Sequence, residues 1–419
     1  AVSASLVHSF AGAMGAIPSI PKRPREKYAA KIHPPVERSL TQLTEQMVAI
    51  NEDLSNQTSS SSWKRQPKAP GGLQDFAANP FLKPPTGESW VSSPCALEID
   101  GFVHLWVGIS TGIMHLVSKD GLSKWKIVEL TVESPGATRP HVSLTENNVV
   151  YLFYEQTEAP KHGFTSSKVK LTSARLPSVA FRSEGAWLWS SATEVLQPEL
   201  EWEKVQTSRV GNPFVVYNPF RDQWLLYYSA SSVFRRKDSK SPPSLYIGIA
   251  AAPAVEGPYQ RLNEKPFFGT SEGVPQVIGA GSFKMIKGFD ILDYDAEAGE
   301  GRRLLALESR VTRSKKGSVS SIALLASADG FTWSVIDPAF LAPTAAEKCW
   351  KKAHINSFDT MIRSSDPDHV LIYYDARNDF EKSMECIGAS RVPVSYLESI
   401  ACTSATRVRS MTSPGSKHK

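Results

Sequence analysis

The chain is predicted to be all-β, a five-bladed β-propeller with an N-terminal extension that contains one amphipathic helix. Three observations predict it. An aromatic or aliphatic run recurs five times: His104-Leu105-Trp106-Val107-Gly108, Tyr151-Leu152-Phe153-Tyr154-Glu155, Trp224-Leu225-Leu226-Tyr227-Tyr228-Ser229, Leu304-Leu305-Ala306-Leu307-Glu308-Ser309 and Leu371-Ile372-Tyr373-Tyr374-Asp375. Each run is followed by a strand with small residues: Met114 to Ser118, Val169 to Ala174, Leu245 to Ala252, Ile322 to Ser327 and Cys386 to Ser390. Turn chemistry repeats as well, Ser118-Lys119-Asp120-Gly121 leading to Trp125 and Ser327-Ala328-Asp329-Gly330 leading to Trp333.

Strands follow from the β-branched and aromatic content and from the lack of long 3.6-period stripes. Asp-Gly supplies the positive φ of a tight hairpin turn, and the Trp opens the next strand; Glu256-Gly257-Pro258-Tyr259 plays the same part in a third unit. The units recur about 45 to 80 residues apart, and packing such sheets face to face around an axis buries both faces of each. A sandwich would need a separate reason for the repeated order within each unit. The propeller is placed at 86–400.

The residues before it differ in texture. An extended arm is expected over 1–35, an amphipathic helix over 36–55 and a linker over 56–85. In the helix, Val36, Leu40, Leu43, Met47, Ile50 and Leu54 recur at steps of 4, 3, 4, 3 and 4, a heptad stripe. It is too short to stand alone in water, so it must dock on its own propeller or on a partner protein. A basic tail closes the chain at 401–419.

The formal charge of +5 sits mostly in the tails, at Lys22-Arg23-Pro24-Arg25 and after Arg407. No basic face interleaved with aromatics appears, which argues against a nucleic-acid partner. No apolar run reaches the roughly 18 residues of a membrane span. The four cysteines show no CxxC spacing, so buried thiols are the first expectation, with a Cys386–Cys402 bridge left open. The first residue is not Met and the start is rich in Ala and Ser, pointing to a processed chain and to an organelle or secretory route. Asn56-Gln57-Thr58 fits a glycosylation sequon.

With these blades the sequence resembles the furanosidase-type glycosidases, glycoside hydrolase families 43 and 32 and their relatives. The resemblance rests on Thr138-Arg139-Pro140-His141 before the second run, Arg209-Val210-Gly211-Asn212-Pro213 before the third, Ile247-Gly248-Ile249-Ala250 leading to Glu256-Gly257-Pro258-Tyr259, and Ser327-Ala328-Asp329-Gly330 leading to Trp333. It covers about three-quarters of the chain, residues 86 to 400. It implies three acids lining an axial funnel, one from the innermost strand of each of the first three blades. One carboxylate works as base or nucleophile and another as acid, about 5 to 9.5 Å apart.

Those positions are poor in acids. Trp90 to Leu97 has none, with Glu88 just before it; Asn79-Pro80 offers an amide; Arg139 is followed by Pro140 and His141; and Gly211 and Asn212 stand where a Glu is implied. The remaining catalytic candidates are Asp290 and Asp359, helped by Glu88. Arg139, His141, Arg209 and Asn212 are the substrate-binding candidates, the two arginines able to clamp an anion or to neutralise Asp290 and Asp359. The resemblance also places a metal-holding His near the axis, at His354, for an ion such as calcium; no other cofactor is expected. The aromatics of the second strands are expected between blades, and an interior Glu308 needs an Arg partner.

Acid loss together with docking elements predicts a glycosidase-like propeller without catalytic activity, a carbohydrate-binding or scaffolding subunit of a larger assembly. The alternative is an active glycoside hydrolase of the arabinanase or fructosidase type with relocated carboxylates.

Overall fold

The computed structural model describes residues 63–65, 70–85, 88, 90–158, 166–178, 187–204, 208–219, 221–230, 246–269, 277–291, 293–295, 300–314, 317–344, 350–378 and 384–411. The arm, the heptad helix and the sequon expected before residue 63 lie outside them.

Strands β1 (Trp63–Arg65) and β2 (Gln74–Phe76) come first in the chain but belong to the last sheet. Sheet one is β3 (Ser92–Ile99), β4 (Phe102–Ile109), β5 (Gly112–Ser118) and β6 (Lys126–Glu133). Sheet two is β7 (Ala137–Leu144), β8 (Val149–Thr157), β9 (Ser166–Arg175) and β10 (Thr193–Leu196). Sheet three holds β11 (Ser208–Asn218), β12 (Gln223–Ala230) and β13 (Tyr246–Ala252), with β14 (Gln260–Arg261) and β15 (Phe268–Gly269) sharing its outer edge. Sheet four holds β16 (Val277–Met285), then β19 (Leu304–Ser314), β20 (Gly317–Ser327) and β21 (Ser334–Leu341), the small hairpin β17 (Asp293–Asp295) and β18 (Glu300–Arg302) being inserted after β16. Sheet five is β22 (His354–Arg363), β23 (Asp366–Arg377) and β24 (Cys386–Pro393), and β2 pairs with β24 to complete it.

The first strands form a ring. Each of β3, β7, β11 and β16 touches the next, and β22 returns to β3. Five buried apolar clusters fill the five seams between neighbouring sheets. Period-two alternation on the second strands explains how one strand feeds two seams. Leu152 and Tyr154 face sheet one, whereas Tyr151 and Phe153 face sheet three; Leu371 and Tyr373 face sheet one, Ile372 and Tyr374 sheet four. The aromatics therefore lie between blades, as their alternation predicts. This is a closed five-bladed propeller.

Two expected boundaries shift. Part of the stretch assigned to a linker supplies the closing strand: Asp75 accepts from Lys351 Nζ (2.6 Å) and Ser390 Oγ (2.6 Å), while Asn79 pairs with the Ala389 backbone through both amide atoms. Part of the expected tail is helical. Helix α1 (Val394–Met411) buries Leu397 and Ala401 in the seam between sheets four and five. No bridge joins Cys386 and Cys402; both are free. Among the described residues no helix is long and apolar enough to cross a membrane.

The two Asp-Gly turns have one architecture. Asp120 Oδ1 accepts from the N–H groups of Leu122 and Ser123 (2.9 and 2.7 Å), and Asp329 Oδ1 does the same for Phe331 and Thr332 (2.8 and 2.7 Å). Gly121 and Gly330 have φ of 71° and 79°, the left-handed region that glycine enters without a Cβ clash. A buried tyrosine of the preceding blade donates to each glycine carbonyl, Tyr373 to Gly121 and Tyr227 to Gly330, both at 2.9 Å. Gly330 also receives Trp333 Nε1. Tyr373→Phe is therefore expected to cost about 1 kcal/mol and Tyr227→Phe less, measured by urea unfolding.

Candidate functional site

Every first strand carries an extra residue near its start, relative to its partner strand, and β16 carries two. The register slips between Ser92 and Cys95, Thr138 and His141, Gly211 and Phe214, Ala280 and Phe283, and Ile355 and Phe358. Such bulges re-aim side chains, and here they do so at one end of the ring. In the first three blades the bulge residue has positive φ without being glycine: Ser93 (55°), Arg139 (54°) and Asn212 (48°), each followed by proline. These are the strands on which the resemblance implies acids. They present a hydroxyl, a guanidinium and an amide.

The side chains link into a chain of hydrogen bonds across the ring. Ser93 Oγ reaches Ser357 Oγ at 3.3 Å, Ser282 Oγ reaches Ser357 Oγ at 3.2 Å and Asn212 Oδ1 at 3.4 Å, and Asn212 Nδ2 donates to Ser229 Oγ at 2.6 Å. Beside it lies a carboxylate the sequence reading passed over. Glu155, at the end of the second run, is buried and is gripped by Arg209 through Nε and Nη2, both at 2.8 Å, and by Arg139 Nη1 at 3.1 Å. Burial would raise its pKa; the arginines and the Asn212 N–H outweigh that and hold it at about 2. Space for it comes from Gly211, where a Cβ would lie 1.9 Å from Glu155 Oε2. The two arginines thus neutralise Glu155, not Asp290 and Asp359 as expected.

One layer deeper, Asp359 is buried and paired with Lys287 (3.1 Å) and Lys284 (3.5 Å), and it accepts the Ala96 N–H at 2.8 Å. Against the upward pull of burial, Lys284 and Lys287 hold its carboxyl well below the usual range. A carboxylate fixed in this way has no proton to deliver. His141, placed among the substrate-binding candidates, is buried here too and packs edge-on against Phe214. Its Nε2 lies 2.9 Å from Val215 O, and burial followed by Lys284 lowers it to about 3, so it is a neutral core histidine.

The other candidates lie elsewhere. Asp290 follows the far end of β16, in a small cleft lined with Tyr217, Asn218, Ile291 and Asp329. Its carboxyl is raised by burial and accepts the Gly288 N–H of its own loop. Lys287 acts on both carboxyls, pairing with Asp359 at 3.1 Å and lowering Asp290 against the pull of burial. Glu88 accepts from Ser110 N (3.0 Å) and Thr111 Oγ1 (3.3 Å) and ties down the turn between β4 and β5. His354 opens β22 and is buried against sheet four, its Nδ1 on Ser320 Oγ at 2.9 Å. Among the described residues no three His, Cys, Asp or Glu side chains gather as a metal site. Glu308 has its interior arginine, Arg310, at 2.7 Å.

A second axial carboxyl also escaped the sequence reading. Asp375, buried at the end of the fifth run, accepts the N–H groups of Ser93 (2.7 Å) and Ser357 (3.0 Å), joining blade five to blade one. Burial, then the charge of Glu385, pushes it up to about 7. A folded-state pKa above the unfolded value means stability that is full below about 3.8 and is lost as pH rises through about 7. Asp375→Asn is accordingly expected to flatten the pH dependence of the urea midpoint across that window; an unchanged slope contradicts the assignment.

No family model and no curated protein matches the chain. Solved structures do. A glycoside hydrolase, 13% identical, superposes with a TM-score of 0.51 over 83% of this chain and 94% of its own. A family 62 glycoside hydrolase in complex with xylotriose, 12% identical, gives 0.50 over 81% and 99%. Likeness at this identity shows the fold: the chain shares its propeller fold with these glycoside hydrolases.

Proposed function

We propose that this propeller does not hydrolyse glycosides and serves as a binding or scaffolding subunit of a larger assembly. The observation that carries this reading is the grip of Arg139 and Arg209 on Glu155, beside bulges that present Ser93, Arg139 and Asn212. Glycoside hydrolysis needs one carboxylate free to act as base or nucleophile and another holding a proton. Glu155 and Asp359 are committed to cations, whereas burial raises Asp290 and Asp375, the latter to about 7. Asp375, with the Glu385 carboxylate near it, is what favours the second reading, a hydrolase with relocated carboxylates.

The partner contact is assigned to the heptad stripe of residues 36–54, which precedes the closing strand of blade five in sequence. The test compares the size of the native particle formed by the full chain with that formed by a chain lacking residues 1 to 60. Strands β1 and β2 are kept in that truncation, so a folded propeller released from its assembly is expected. A truncated chain that still assembles at full size would remove this support.

A further inference from the structure

Blade one holds a buried polar group that the axis does not use. His104 on β4 and His115 on β5 are both fully buried, with His104 Nδ1 3.0 Å from His115 Nε2. His115 stacks on Trp106, ring centroids 4.2 Å apart and planes 8° apart, and its Nδ1 looks toward Glu129 Oε1 at 3.5 Å. That carboxylate orders the protons. It favours a proton on His115 Nδ1, which leaves Nε2 to accept from His104 Nδ1–H.

Residues 187–189 close over the pair. Trp187 packs edge-on against His115 at 4.9 Å and against Trp106 at 5.8 Å. Glu129 fastens this end, accepting the Trp187 N–H through Oε2 at 2.8 Å and Trp189 Nε1 through Oε1 at 2.6 Å. The other end is fastened to β9 of blade two, where Trp189 bridges to Ala174 and the Ser190 N–H donates to Ser173 O at 2.8 Å. Leu188, between the two tryptophans, is 91% exposed. Glu129 and the packing of Trp187 on the histidines are therefore what hold this segment to blade one.

We propose that residues 187–189 form an acid-released strap, closed on the His104–His115 pair while both rings are neutral and lifted from blade one when the pair takes up a proton. The closed state has no good place for that proton. It makes His115 donate from both nitrogens, and Nδ1 then competes with Trp189 for Glu129 Oε1. Burial also holds His115 below the ordinary 6.5, outweighing the upward pull of Glu129. A value lower in the closed strap than in the open one favours closure above about pH 6.5 and weakens it as pH falls below. The other groups facing the seam leave that sign unchanged. Burial raises Cys95 and Tyr154, so both stay neutral. Lys126, opposite Val117, and Lys170, opposite Tyr154, add positive charge that opposes a buried imidazolium, while Lys168 is paired with Glu158 and Glu194. Because Glu129 sits on β6, the outermost strand of its sheet, failure of the strap would leave the non-hydrolytic reading of the axis untouched.

The test is hydrogen–deuterium exchange of the full chain between about pH 8 and pH 5, read by mass spectrometry and corrected for the intrinsic rate at each pH. Protection of peptides containing 187–189 is expected to hold above about pH 6.5 and to fall by up to about tenfold per pH unit below it, the slope of one proton taken up. Peptides of β4 and β8 should keep their protection over the same range. His115→Gln keeps a donor and an acceptor but does not titrate, and it should abolish the step; where that variant does not fold, His104→Gln interrogates the same pair. Glu129→Gln should loosen the strap even at pH 8, since only one of its two terminal atoms accepts. Flat protection of 187–189 in the parent chain overturns the proposal whichever variants fold. So does a step that persists in a folded histidine variant, a step shared by β4 and β8, or a strap unchanged in Glu129→Gln.

Discussion

Asp359→Asn is expected to lower the stability of the propeller by about 3–5 kcal/mol, the usual cost of breaking a buried ion pair from one side. The substitution keeps an oxygen for the Ala96 N–H but leaves buried Lys284 and half-buried Lys287 without their counter-charge. The loss is large because both lysines also tie blade four to blade one, Lys284 reaching Pro94 O at 3.5 Å and Lys287 reaching Ala96 O. Adding Lys284→Met to Asp359→Asn should recover part of the loss, because one unpaired charge then disappears. Urea unfolding of the single and double variants decides it. A cost of about 1 kcal/mol or less would mean the lysines are solvated and the axis is open at this depth.

Arg209→Met should cost about 3 kcal/mol, since Glu155 then keeps only the part-exposed Arg139 and the Asn212 N–H. Arg139→Met should cost about 1 kcal/mol or less, in line with its exposure. The asymmetry distinguishes a structural arginine from one whose outer edge is kept for something else. Combining Arg209→Met with Glu155→Gln should restore most of the stability, because no charge is left buried alone. Near-equal costs for the two arginines would contradict the division of labour drawn from their geometry.

Much of the propeller was legible because its periodicity is local. The second strands alternate strictly, so Leu152, Phe153 and Tyr154 announce two buried faces, and only sheets packed on both sides need them. The Asp-Gly turns were readable for the same reason: Asp120 and Asp329 satisfy backbone groups within three residues of themselves. The closing strand was not. Gln74-Asp75-Phe76 is too short to show alternation, and its partners Ser390 and Lys351 lie some 300 residues away.

The axial acids were missed for a related reason. Glu155 and Asp375 stand in plain view as the last residues of two aromatic runs, but strand period fixes a face and not a depth. Which end of a second strand meets the axis depends on the bulge in its neighbour, and bulges have no simple sequence period. A usable signal did exist: a carboxylate closing an otherwise apolar run must find a buried partner. Following it would have led from Glu155 to Arg139 and Arg209. The assignment of those arginines to Asp290 and Asp359 failed because it paired charges by blade position, without the register that sets their distance.

Turnover measures directly whether any axial carboxylate is free to react. The full chain should release no product from a panel of aryl furanosides and pyranosides between about pH 4 and pH 8, the window set by Asp375. Release that scales with protein and vanishes in both Asp375→Asn and Glu155→Gln would show that these groups work as an acid and base pair, and the cation-locked axis described above would be wrong.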